Sequence, residues 1–130
     1  MNLDVIKKDC LVFDIETFAE YQIGTPINIK TNFDDYVALA YVRWVGIYSY
    51  KHNKEYYLEV SKDRQNIIDL FNEHNILIGF NNEQFDCPIM INNGLINSEK
   101  RYLYVDCMKI LGSSKFKDKK GFKYKDRGNL

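Results

Sequence analysis

Residues Cys10-Leu11-Val12-Phe13 form a short, unbroken apolar run between the charged pair Lys8-Asp9 and the segment Asp14-Ile15-Glu16. A run this short and this apolar predicts a central strand buried on both faces. Such a strand needs neighbours on both edges and helices above it. That commits the chain to a layered α/β sheet. Asp14 and Glu16 stand at i and i+2 at the end of the run, and the two-residue period of a strand puts both carboxylates on one face. Two carboxylates so placed repel, and burying either unpaired is costly. A divalent cation relieves the conflict, because Mg²⁺ and Mn²⁺ take hard oxygen ligands. The competing reading is a solvated strand end with an incidental acidic pair.

The rest of the chain supplies the neighbours. Residues 17–35, with Gly24-Thr25-Pro26, read as an irregular surface excursion. Residues 36–50 are dense in Val, Ile, Tyr and Trp and read as strand, and residues 55–60 as a second strand after a polar break of hairpin length. Ser61 is the expected N-cap of a helix whose apolar side chains, with His74, share one face. Ile76-Leu77-Ile78-Gly79-Phe80 is another short apolar strand. A loop and helix follow, with Pro88 in the first turn and Asn93-Gly94 as the stop. Residues 102–106 read as a fifth strand and 107–111 as the start of a helix. A hairpin followed by alternating units implies a mixed five-stranded sheet with flanking helices. Asp86 falls just past the second apolar run. If the two runs lie side by side, Asp86 approaches Asp14 and Glu16 at the carboxyl ends of the strands, where open α/β sheets hold ligands. Phe85 beside it is either a stacking platform for a base or a core aromatic.

Composition narrows the class. With 130 residues, two prolines and seven glycines, the chain is long enough for one ordinary domain and no second. No apolar run approaches the roughly 18–20 residues of a membrane span. The charged N-terminus is not a signal peptide. Cys10, Cys87 and Cys107 are widely spaced and make neither a disulfide framework nor, with His52 and His74, a zinc pattern. The expected compartment is therefore reducing and cytoplasmic. The formal charge is zero, but residues 113–130 carry seven basic residues against Asp118 and Asp126, so the first 112 residues sum to −5. A core of residues 1–112 and a basic, flexible segment of 113–130 are the expected division. The segment reads either as a solvated tail or as a contact for a polyanion.

Val12-Phe13-Asp14-Ile15-Glu16-Thr17 resembles the first motif of the DEDD-type 3′–5′ exonucleases, and Gly79-Phe80-Asn81 with Phe85-Asp86-Cys87-Pro88 resembles the second. The proline two residues after the aspartate is most similar to the proofreading domains of family B DNA polymerases. The resemblance spans about residues 10–111. It implies a ribonuclease-H-like sheet in the order 3-2-1-4-5 and two Mg²⁺ or Mn²⁺ ions. It also implies hydrolytic removal of nucleotides from a 3′ end, of single-stranded DNA above all. By resemblance Asp14 contacts both metals, Glu16 one of them, and Asp86 the second. Thr17, Asn81 and Phe85 hold the unpaired terminus, and Phe80 serves packing.

The family's third motif, Tyr-x-x-x-Asp or His-x-x-x-x-Asp on a later helix, supplies a fourth carboxylate. Tyr102 and Asp106 match it in letters only, about twenty residues after Asp86 and on a strand. Asp106 is thus a candidate fourth ligand, or a residue that ends the strand, caps the next helix or lies near substrate. The fold is expected to be C-terminally incomplete, as a fragment of a longer exonuclease or polymerase or as a shortened derivative. It would then bind metal less tightly and act feebly, and either self-associate through uncovered sheet or carry an extended, poorly packed tail. It would reside wherever the replication machinery does. The alternative is a non-catalytic nucleic-acid-binding or assembly module that keeps the fold and uses the basic segment on phosphates.

Overall fold

A computed structural model describes residues 3–111; the basic segment 113–130 lies outside the described residues, as does any part it has in binding or self-association. The chain forms a mixed α/β layer. Helix α1 (Leu3–Lys8) leads into β1 (Cys10–Phe18), a small hairpin of β2 (Glu20–Gln22) and β3 (Thr25–Pro26), and α2 (Phe33–Leu39). Then come β4 (Tyr41–Ser49), β5 (Lys54–Glu59), α3 (Val60–Asn72) and β6 (Ile76–Gly79). A single π-helical turn (Asn82–Asp86), α4 (Cys87–Asn92), β7 (Leu103–Asp106) and α5 (Cys107–Leu111) complete it. The main sheet runs β5-β4-β1-β6-β7, antiparallel on the β4 and β5 side and parallel on the β6 and β7 side. No helix among the described residues is long and apolar enough to cross a membrane.

Three local expectations need correction. Residues 36–50 are not one strand. The first four complete α2, whose first turn carries Asp34 and Asp35 facing the positive end of the helix dipole. The helix after the hairpin, α3, starts at Val60 with Glu59 as its N-cap, so Ser61 lies inside the first turn. Strand β1 does not end at Asp14. It continues to Phe18 along β4, while its pairing with β6 stops at Val12.

Nor is β1 buried on both faces. Leu11, Phe13 and Ile15 point into the core with Val45, Ile47, Leu77 and the helix residues Ile67, Leu70, Phe71, Ile89 and Met90. The Phe13 ring meets Phe71 edge-on at 5.1 Å, which locks α3 onto the central strand. On the other face Val12 is half-buried, and Asp14 and Glu16 are exposed. The central strand is therefore apolar-in and polar-out beyond residue 12.

The end of α3 shows how closely the core side is finished. A helix leaves its last four carbonyls without intrahelical partners. Here Leu70 O accepts from His74 Nδ1 at 2.6 Å, Phe71 O from the Tyr102 hydroxyl at 2.7 Å, and Asn72 O from Lys100 Nζ at 2.7 Å. Glu73 O accepts from Lys51 Nζ. Because His74 Nδ1 donates to a carbonyl, its Nε2 must accept, and Ser49 Oγ donates to it across 2.7 Å. The ring is fully buried and satisfied, and burial lowers its pKa. His74 is thus a structural neutral histidine. Tyr102→Phe should cost about 1–2 kcal/mol, because it strands the Phe71 carbonyl in the core. Urea unfolding at neutral pH measures it, and an unchanged midpoint would show that the carbonyl has another partner.

Candidate active site at the ends of the parallel strands

The candidate acidic residues lie around the point where β1 outruns β6. Asp14 is the second residue of β1 past its last pairing with β6, at Val12. Beyond Gly79 at the end of β6 the backbone turns through Asn81, held at φ 58° and ψ 30°. This left-handed conformation is one that asparagine tolerates better than most residues. The chain then winds through the π turn, in which Cys87 N–H reaches back five residues to Asn82 O. Such wide turns recur at functional sites because they re-aim side chains. This one ends on Asp86, which is only 4% exposed.

Burial pushes the Asp86 carboxyl up to about 8, and the nearby charges of Asp14 and Asp106 push in the same direction. Asp106 closes β7. Its Oδ1 accepts from Asn81 N–H at 2.7 Å and Met108 N–H at 3.0 Å, so one oxygen caps α5 and pins the π turn. Its Oδ2 is buried with no hydrogen-bond partner among the described residues, as are Asn81 Oδ1 and Asn82 Oδ1. Three orphaned acceptor oxygens on the π turn, its cap and the end of β7, and a carboxyl on that turn that resists ionisation, leave this corner of the fold short of positive charge. The donor set is all hard oxygen, which suits Mg²⁺ or Mn²⁺. As placed, no three His, Cys, Asp or Glu side chains among the described residues are gathered into a ready metal cage.

Glu16 lies apart from this group and is not among the charges that raise Asp86. It faces the Tyr57 hydroxyl, whose pKa its hydrogen bond raises, with Asp14 adding to the effect. Asp14 is therefore the member common to both clusters. A break in register between Glu16 and Thr17 leaves Arg43 of β4 unpaired, and bulges of this kind also reorient strand side chains.

Thr17 and Phe85 are brought together through a residue that sequence reasoning missed. Thr17 Oγ1 bonds the Tyr36 hydroxyl at 2.7 Å, and the Tyr36 ring stacks on Phe85 with centroids 6.0 Å apart. Phe33 flanks Phe85 from the same helix, also at 6.0 Å. Phe85 is accordingly packed against the core as a member of an aromatic cluster. Phe80 is 41% exposed. Cys87 is buried and its thiol is pushed up to about 12, chiefly by burial, so it stays protonated and is no nucleophile.

No family model matches the chain, and no curated protein does. The chemistry of the site therefore rests on its own geometry.

Proposed function

We propose that this chain is a metal-dependent nuclease domain of ribonuclease-H-like architecture, acting on nucleic-acid 3′ ends in the manner of DEDD-type exonucleases. The observation that carries the reading is the buried Asp86 carboxyl at the end of the π turn, near enough to Asp14 of β1 and to Asp106 at the end of β7 for both charges to act on it. Burial and mutual repulsion raise the pKa of Asp86, and an orphaned Asp106 oxygen points the same way. Folding tolerates such a conflict where a bound cation resolves it.

Asp14, Asp86 and Asp106 would hold Mg²⁺ or Mn²⁺, with Glu16 completing the exposed side. When bound, the metal supplies an activated water and charge stabilisation at the attacked phosphate. The chain's own residues do the positioning. Asn81 N–H holds Asp106, Asp106 in turn fixes the start of the π turn, and the turn delivers Asp86. Thr17 and Asn81 are proposed to hold the terminal nucleotide, with Phe85 bracing Thr17 through Tyr36. On this reading Asp106 occupies the role sought in the third motif, though it ends a strand instead of lying on a helix.

Calorimetric titration with Mn²⁺ tests the site. Asp14→Ala should weaken binding at least about tenfold and Asp106→Asn by a similar factor. Shortening of a 5′-labelled single strand from its 3′ end, dependent on Mn²⁺ and absent in Asp14→Ala, identifies the reaction. Undiminished Mn²⁺ binding in Asp14→Ala would remove the metal site. Salt-sensitive strand binding without any shortening would favour the binding-module reading.

A further inference from the structure

We infer that the open face of the sheet beside Asp14 carries a slot for a nucleobase, walled by Tyr57 and Tyr48 and floored by Gly46. This rests on the nuclease reading and names where the base of the bound nucleotide goes. Asp14 pairs with Gly46 across β1 and β4, and Gly46 pairs with Tyr57 across β4 and β5. The three residues form one row across the sheet, and the middle one has no side chain. A Cβ built on Gly46 would lie 3.8 Å from the Asp14 carbonyl oxygen and 3.8 Å from the Tyr57 ring. The floor is thus open, with an aromatic ring alongside.

A groove of about 540 Å³ occupies this place, lined among others by Val12, Asp14, Gly46, Tyr48, Glu55 and Tyr57. Tyr57 is 58% exposed. Trp44 stacks on it at 4.7 Å and 11° but does not line the groove, so Trp44 backs one face of the ring and the other is turned to the groove. The Trp44 stack holds the Tyr57 ring in place. A rigid ring with one covered and one open face is a stacking platform, and base-on-aromatic stacking tolerates any base.

Charge selects the occupant. Asp14 and Glu55 edge the groove. Carboxylates repel a phosphate but accept from exocyclic amino groups, as acidic side chains do from the cytosine amine. A phosphate held by a metal at Asp14 would leave its base to reach across one or two strands, each about 4.8 Å apart. That span lands on Gly46 and Tyr57. Phe85, engaged by Tyr36 and Phe33, offers less open ring than Tyr57.

The test uses the whole chain and the sequence's one tryptophan, Trp44, as reporter through its stack on Tyr57. Titration with an oligodeoxycytidine tetramer in Ca²⁺, which should occupy the site without supporting cleavage, should change Trp44 emission saturably. An oligothymidine tetramer, lacking the amine, should bind more weakly. Gly46→Val suits a β-strand and fills the slot. It should retain the wild-type melting transition and lose about tenfold or more in oligocytidine affinity. Tyr57→Ala should lose a similar factor, read by calorimetry, and serves if Gly46→Val does not fold.

Wild-type oligonucleotide affinity in both folded Gly46→Val and folded Tyr57→Ala overturns the slot. So does an arginine hexapeptide that binds the wild-type chain but not Gly46→Val and leaves oligonucleotide binding unchanged, since the groove would then be a cation site. The two readings fail separately. Slot binding that persists in EDTA while Mn²⁺ fails to bind removes the nuclease and keeps the slot. Mn²⁺-dependent shortening with Gly46→Val unaffected does the reverse.

Discussion

In metal-free buffer Asp86→Asn should be more stable than the natural chain, and the advantage should grow as the pH rises. The folded-state pKa of Asp86 is raised from 3.8 to about 8. Below 3.8 the carboxyl is protonated in both folded and unfolded chains, and the stability contribution of the neutral form is fully present. As the pH climbs towards 8 the unfolded chain releases its proton while the folded chain keeps it, so unfolding gains ground. Above about 8 the penalty levels off. A tenfold change in proton affinity is worth about 1.4 kcal/mol, which sets a ceiling of several kcal/mol across this window. His74 works in the opposite sense. Its lowered pKa removes stability as the pH falls through its ordinary value of 6.5. Both chains carry His74, so the difference between them isolates Asp86. Urea unfolding in EDTA at about pH 4, 6 and 9 measures it, with a gap that widens by at least about 2 kcal/mol as the expected result. Parallel profiles would mean that Asp86 is ionised at little cost, and the argument for a missing cation would lose its main support. Added Mn²⁺ should stabilise the natural chain and leave Asp86→Asn largely unmoved. That is the trade expected where a site is kept in electrostatic conflict for function.

The pieces legible in the sequence were those set by local pattern. Two short apolar runs, one running into Asp14 and the other with Asp86 a few residues beyond it, marked β1 and β6, because a buried strand leaves its signature within a few residues. The alternation of helix and strand after the hairpin implied the mixed sheet, and Asn93-Gly94 marked the end of α4, where Gly94 adopts φ 72°. Helix α2 was hidden because Tyr36 and Val37 favour strand on propensity alone. Its signal was Asp34-Asp35 in the first turn, next to a cap residue, Asn32, whose side chain makes no capping bond. The length of β1 was hidden because its outer half is held by β4 alone, with exposed carboxylates where an apolar strand would have continued. The candidate site was legible as a list but not as an arrangement. Asp14, Glu16 and Asp86 follow from the motifs. The division into an Asp14–Asp86–Asp106 group and a Glu16–Tyr57 pair depends on a π turn that no residue pattern announces. Asp106 was visible in letters. Its place beside Asp86 became arguable only once β7 lay next to β6 with Gly79 opposite Asp106.

Gly79→Ala should damage the fold and the site together, and Gly46→Ala should not. Both glycines sit in strands of the same sheet, so backbone propensity treats them alike. Their surroundings differ. A Cβ on Gly79 would come 2.9 Å from the Asn82 Cβ and 3.3 Å from its Cγ and Nδ2. Asn82 has no room to give, since it is fully buried and its Nδ2 lies 3.4 Å from Leu77 O of the same strand as Gly79. It also opens the π turn that ends at Asp86. The added methyl must therefore push the turn off the end of β6. A cost of about 2–4 kcal/mol follows from overpacking a rigid contact. Mn²⁺ affinity should fall at least about tenfold as Asp86 moves, because ligand geometry is that sensitive to its support. On Gly46 the nearest atoms would be 3.8 Å away, ordinary contact, so Gly46→Ala should be neutral or slightly stabilising. The clash is between two Cβ positions, so Asn82→Gly in the Gly79→Ala background should recover part of the lost stability. That coupling, read from a double-mutant cycle, separates a local collision from general strand damage. Wild-type stability in Gly79→Ala, or strict additivity with Asn82→Gly, would mean that the turn is not braced on Gly79 and that Asp86 is aimed by something else.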